Sequence, residues 1–162
     1  MALPQELWNK IDQIGIIGRD ADKVINSMRM IFGLEPTKRV SSDPGRTDAF
    51  YRGHPRTLGA DIVFYRIGDI DLEIICPKEG MSLHHEYLAK HGEGLYHIRF
   101  NVKSYDEAVK AFGNSGYVPA MHGVSLIDPR LRWAYFDTEP QLGYYTEIIN
   151  QREVESAETI ES

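Results

Sequence analysis

The sequence has a single cysteine, Cys76, so no disulfide can close within the chain. In its apolar setting, Ile-Ile-Cys-Pro, it reads as a small buried hydrophobe in a reducing compartment. No apolar run approaches the roughly 18 residues that a membrane helix needs. The first ten residues lack the apolar centre of a signal peptide, so the expected location is cytoplasmic, with no membrane contact. Runs of Lys and Arg are also missing: 18 basic against 24 acidic residues give a net charge of −6, which argues against a nucleic-acid partner. What the chain does have is 42% hydrophobic residues in 162, enough for one core or two small cores that share a seam.

The sequence repeats itself. The segment QIGIIGRDADKVINSMRMIFGLEP, from Gln13, can be laid on HIRFNVKSYDEAVKAFGNSGYVP, from His97, with one gap. Each copy opens with a short alternating strand, and an Asp (Asp22, Asp106) enters a helical pattern. Each helix is expected to stop at a Gly (Gly33, Gly116), with a Pro three residues on that prevents it from resuming (Pro36, Pro119). Val24, Met28, Ile31 and Phe32 form one apolar stripe, and Ala108, Val109 and Phe112 the other. The two halves also end alike, in DLEIICP and YYTEIIN. Between helix and last strand there is room for two more strands, DAFYRGHPRTL and ADIVFYRIG in the first half and MHGVSLI and RWAYFDT in the second.

The expected fold is therefore α+β: two paired βαβββ units forming one curved mixed sheet with a cleft, and helices outside. The division is residues 1–10 as an N-terminal extension, 11–80 as the first unit, 81–94 as a connection, 95–150 as the second unit and 151–162 as a disordered acidic tail.

Alternation in GLYHIRFNV places Ile98 and Phe100 on one face and His97, Arg99 and Asn101 on the other. That polar face is either the wet side of a sheet or the floor of a site. The repeat makes Gln13 equivalent to His97 and Glu73 equivalent to Glu147, each pair on the first and last strand of its unit. A twofold between the units brings all four to its axis. An imidazole, two carboxylates and an amide oxygen suit one divalent ion, Zn, Co, Ni, Mn or Fe(II), with positions left for water or substrate.

The stretches DQIGIIGRD, DLEIICP, YLAKHGEGLYHIRFNV and AYFDTEPQLGYYTEII resemble the vicinal oxygen chelate superfamily, the group of glyoxalase I, methylmalonyl-CoA epimerase and the extradiol dioxygenases. The likeness is strongest to the methylmalonyl-CoA epimerase-like branch and covers most of residues 10 to 150. It implies paired βαβββ units, a divalent metal held at Gln13, Glu73, His97 and Glu147, and a homodimer. It also implies a metal-dependent isomerase (epimerase) or lyase acting on a small 2-oxo, 2-acyl or acyl-CoA substrate, with Glu147 as base and Glu73 as the second carboxylate. The metal would polarise the carbonyl while a carboxylate takes the neighbouring proton.

Three departures bear on the reaction. Gln13 stands where epimerases and extradiol dioxygenases usually have His, which disfavours extradiol chemistry and resembles some glyoxalase I enzymes. Those enzymes carry an Arg four residues after the first ligand, where this chain has Ile17. A two-base epimerase needs a second acid after the first helix, yet residues 37–60 contain no Glu, only Asp43 and Asp48.

Substrate contacts are expected from Arg99 on the cleft face and from the loop SSDPGRTDAFYRGHPRTLG. In that loop Arg46, Arg52, His54 and Arg56 could hold a phosphate or carboxylate and Tyr51 could stack on an apolar part. A solvated loop with ordinary charges is the plainer alternative. Tyr135 and Tyr145 are further candidates for the pocket wall, although Trp133 and Tyr135 also suit the core; His84, His85 and His91 read as surface residues of the connection. A glyoxalase I-like lyase is one alternative function. A metal-free resistance protein that holds its ligand in a cleft lined by Tyr65, Tyr135, Tyr144 and Tyr145 is another.

Overall fold

The computed structural model describes residues 2–43, 49–56 and 58–150. The tail 151–162 and the loop residue Arg46 lie outside these. After a short 3-10 turn at Gln5–Leu7, strand β1 (Trp8–Ile17) leads to helix α1 (Ala21–Phe32), and β2 (Lys38–Ser42) follows. A hairpin, β3 (Ala49–Tyr51) and β4 (His54–Arg56), precedes β5 (Ala60–Ile67) and β6 (Ile70–Pro77). Helix α2 (Leu83–His91) connects to the second half: β7 (Gly94–Val102), α3 (Tyr105–Asn114), β8 (Pro119–Val124), β9 (Arg132–Phe136), the short α4 (Glu139–Leu142) and β10 (Tyr145–Asn150).

All ten strands form one sheet in the order β2-β5-β6-β1-β7-β10-β9-β8-β3-β4. Within each half the first strand pairs in parallel with the last: β1 with β6, and β7 with β10. The halves meet where β1 runs antiparallel to β7, so the sheet reads β2-β5-β6-β1 against β7-β10-β9-β8, the pseudo-twofold arrangement expected from the repeat. Strand β1 already begins at Trp8, so the sheet reaches back into the segment 1–10.

The helices form where local chemistry directs. Asp20 accepts from the Lys23 N–H to cap α1, Ser104 does the same for α3 through Glu107, and Asp22 and Asp106 lie in the first turns. Helix α1 ends at Gly33, whose φ of 66° lets its N–H reach Arg29 O. Helix α3 buries Ala108 and Phe112 with Val109 alongside, as its spacing indicates. Helix α1 differs: Val24, Ile25 and Met28 cover Val63, Tyr65 and Ile74, whereas Ile31 and Phe32 continue the stripe by spacing but stay 68% and 64% exposed.

The segment DAFYRGHPRTL does not supply a strand to the first unit. Strand β2 fills that place by pairing with β5, and the segment forms the β3–β4 hairpin instead. The hairpin adds to the opposite edge of the sheet, β3 pairing with β8 of the second half. The connection between β2 and β5 therefore carries chain from one edge of the sheet to the other.

Candidate metal centre and cleft

Glu73 on β6, His97 on β7 and Glu147 on β10 are drawn together across the sheet. One ligand atom from each lies within 4.8 Å of the other two. His97 Nε2 is 3.0 Å from Glu147 Oε2 and 3.5 Å from Glu73 Oε2. Adjacent ligands bound at about 2.1 Å lie roughly 3.0 Å apart in an octahedron and roughly 3.4 Å apart in a tetrahedron, so these gaps match the edges of a metal polyhedron. All three side chains are buried, His97 completely.

Strand irregularity sets up the approach. In the β1–β7 ladder Gly15 faces His97 and Ile16 faces Leu95, leaving Tyr96 as a bulge residue. The bulge lets Tyr96 and His97, neighbours in sequence, pack their rings together at 5.3 Å and both reach Tyr135. A Cβ on Gly15 would sit 1.9 Å from His97 Cε1, so the imidazole occupies the volume that any other residue would fill. The glycine inside QIGII is the sequence signal for this close approach. A second irregularity, between Ile11 and Gln13, places Asp12 against the same polar face: Asp12 accepts from Arg99 Nε at 2.7 Å and from Asn101 Nδ2 at 3.3 Å.

Gln13, opposite Arg99 in the ladder, completes the quartet and is 1% exposed. Its amide has two orientations with different chemistry. With the oxygen inward it lies 3.1 Å from His97 Nε2 and meets only acceptors, an arrangement that a cation would satisfy. With the oxygen outward it accepts from Arg99 Nη1 at 3.1 Å, and its nitrogen donates to Glu73 at 3.0 Å and His97 at 3.1 Å. Glu73, His97 and Glu147 thus fit a divalent ion as they stand, and Gln13 joins them when its oxygen faces inward.

Electrostatics favour a cation here. Three carboxylates, from Asp12, Glu73 and Glu147, face the single guanidinium of Arg99, and each unpaired buried charge costs several kcal/mol. Burial pushes the Glu73 carboxyl up to about 7; His97 opposes the shift and Glu147 adds to it. Burial also works against the charge of Arg99, but Glu147 and Asp12 outweigh it and hold the guanidinium above its ordinary range.

The cluster opens on a cavity of about 130 Å3. Glu73, Glu147, Arg99 and His84 are among its polar lining, and its apolar wall includes Phe64, Trp133, Tyr135 and Ile149. Of the residues expected to bind substrate, Arg99 and Tyr135 therefore line the cavity. Tyr145 instead packs on Tyr87 and Tyr96. Tyr51 is buried with its hydroxyl on the Glu86 carboxylate, and Arg52 is paired with the same carboxylate at 2.5 Å. His54 is exposed and Arg56 half-buried; from their hairpin, Ala49 is the residue that lines the cavity. Tyr65 belongs to the core beneath α1.

His84 corrects the surface reading. It is 9% exposed, bonded through Nδ1 to the Tyr96 hydroxyl at 3.0 Å, and part of the cavity wall. Helix α2 turns Leu83, His84 and Tyr87 inward, a pattern hidden by the low hydrophobicity of LHHEYLAKH. His91 is exposed, and His85 is half-buried against Ser82 and the Lys78 carbonyl.

A profile of the glyoxalase/bleomycin resistance protein/dioxygenase superfamily matches residues 12–135. No curated protein matches the sequence. Among solved structures, a variant of Streptomyces coelicolor methylmalonyl-CoA epimerase in complex with 2-nitronate-propionyl-CoA superposes with a TM-score of 0.67 at 21% identity, covering 92% of this chain and 99% of that one. Methylmalonyl-CoA epimerase from Mycobacterium tuberculosis gives 0.67 at 15% identity, covering 94% of each chain. A Bacillus halodurans protein gives 0.66 at 21% identity, covering 89% of this chain and 95% of its own.

Proposed function

Because the chain belongs to the glyoxalase/bleomycin resistance protein/dioxygenase superfamily, we propose that it is a metal-dependent isomerase or lyase that removes a proton beside the carbonyl of a small 2-oxo, 2-acyl or acyl-CoA substrate. The observation that carries this reading is the buried Glu73, His97 and Glu147 cluster, whose two glutamates line the cavity. A divalent ion held there would supply Lewis-acid stabilisation to an enolate. Glu147 takes the proton on a carboxylate oxygen, and Glu73, whose strand lies on the other side of β7 in the sheet, returns one. Arg99, fixed by Asp12, supplies positive charge beside the reacting oxygens.

Methylmalonyl-CoA epimerases of the same fold support an acyl-CoA substrate. The second acid that such an epimerase would draw from residues 37–60 has no candidate among the described residues: Asp43 is exposed, near Lys78, and Asp48 lies outside them. A glyoxalase I-like lyase, which needs no such acid, is the nearest variant of the proposal. Metal-free ligand binding in the same cleft draws support from the apolar wall. We place the protein in the cytoplasm and as a homodimer; the exposed Met30, Ile31 and Phe32 on α1 supply apolar surface for a partner copy.

Glu147→Gln preserves shape and removes the base. In metal-loaded protein it is expected to lower solvent-deuterium incorporation into methylmalonyl-CoA or a hemithioacetal by at least about 100-fold. Exchange at the parent rate would overturn the assignment of Glu147.

A further inference from the structure

His84 is the buried polar residue on the cavity wall with no part in the metal cluster. It sits in the first turn of α2, and its ring is held edge-on between two tyrosines: Tyr96 at 5.2 Å and 70°, and Tyr135 at 5.9 Å and 86°. The same two rings flank His97, at 5.3 and 5.2 Å. One layer of aromatic side chains therefore separates His84 from the metal ligands.

Hydrogen-bond accounting fixes the tautomer. The Tyr96 hydroxyl is fully buried, and its hydrogen bond to His84 Nδ1 is the only one it makes among the described residues. If Nδ1 were the donor, the tyrosine proton would be left without an acceptor in a buried site. The hydroxyl therefore donates to Nδ1, and the imidazole proton sits on Nε2. Burial keeps the ring neutral by pushing its pKa down to about 3, and the nearby α2 N-terminus also disfavours an imidazolium. Nε2–H makes no hydrogen bond to the described residues, so it is the polar group that His84 offers to the cavity.

Resting on the proton-abstraction reading above, we infer that His84 is a substrate-binding residue whose neutral Nε2–H donates to an uncharged acceptor oxygen of the substrate. A neutral donor with no counter-charge suits a ketone, thioester or hydroxyl oxygen better than a carboxylate, which Arg99 would attract more strongly. With the apolar wall of Phe64, Trp133 and Ile149, this describes a ligand of defined class. It has one reacting carbonyl at the metal cluster and a second neutral oxygen on an otherwise apolar acyl body.

The test uses the full chain loaded with metal, with methylmalonyl-CoA and S-acetoacetyl-N-acetylcysteamine as exchange substrates. His84→Phe keeps the ring and loses the donor, His84→Gln keeps an N–H, and Tyr96→Phe releases the tautomer without altering His84. Expected with the acetoacetyl thioester is a loss of about tenfold in kcat/KM for His84→Phe, carried mainly by KM, with partial recovery in His84→Gln, and a smaller loss with methylmalonyl-CoA, whose second oxygen group is a carboxylate. Long-range proton–nitrogen spectra of the parent should show the Nε2–H tautomer, shifting when the acetoacetyl thioester saturates the site. Should His84→Phe fail to fold, Tyr96→Phe is read instead, with an expected rise in KM and a mixed tautomer. Parent-like kinetics in the folded variants, or an Nδ1–H tautomer in the parent, would overturn the role of His84 and leave proton abstraction standing. Absence of exchange in the parent with both substrates would overturn the proton-abstraction reading, and this inference with it.

Discussion

At the scale of single residues, the centre depends on one side chain that is missing. The His97 ring lies where a side chain at position 15 would have to go, so Gly15→Ala should force the imidazole out of line. A destabilisation of about 1–3 kcal/mol in a denaturant melt is expected, together with weaker metal binding by calorimetric titration; parent-like values for both would mean that the ring relocates freely. His97 and the two glutamates were legible in the sequence because the repeat paired their positions. His84 was not, because its burial comes from how α2 docks on the tyrosine cluster, and nothing in a run of two histidines marks which one turns inward. The orientation of Gln13 was equally hidden: its competitor for the amide oxygen, Arg99, is 86 positions away in sequence and adjacent only through the β1–β7 ladder.

Among the elements, the β3–β4 hairpin departs furthest from the expected plan. Its sequence offers alternation and a Gly, and these specify a hairpin but not the edge to which it is added. Its turn places Arg52 at a φ of 48°, followed by Gly53 at 78°, the left-handed pair of a tight hairpin. Glu86 on α2 holds both Tyr51 and Arg52, so the expected phosphate-binding arginine is instead occupied in fixing the hairpin to the helix. Glu86→Ala should speed amide hydrogen exchange across residues 49–56 while β1 and β7 keep their protection. Unchanged exchange in the hairpin would show that its pairing with β8 suffices. The helices were more readable than this hairpin because their caps and stripes are local, whereas edge addition is decided by contacts 70 to 74 positions apart.

For the whole molecule, the two halves bury acidic groups that a divalent ion would neutralise, so metal should stabilise the fold. At 100 times the dissociation constant the gain is about 2.7 kcal/mol, and roughly 2–4 °C per kcal/mol follows for a chain of this size. A rise in Tm of about 5–10 °C with Zn, Co, Ni or Mn is therefore expected. Acid should act in the opposite direction through His84, which packs edge-on between Tyr96 and Tyr135 and lies within electrostatic reach of His97 and His85. Its pKa is depressed from 6.5 to about 3 in the folded state, so between those values the unfolded chain binds more protons. Stability contributed by the neutral ring is fully present above pH 6.5 and is lost as the pH falls toward 3. A flatter acid limb in melts of His84→Phe is the expected result; a limb parallel to the parent would place the acid sensitivity elsewhere.

The central claim is a metal held by Glu73, His97 and Glu147, and metal content by mass spectrometry tests it most directly. The parent and His97→Ala would be purified without an affinity metal and then incubated with Zn, Co, Ni and Mn. About one divalent ion per chain in the parent, lost in the variant, is the expected result. No ion in either protein would contradict the account and transfer the cleft to metal-free ligand binding.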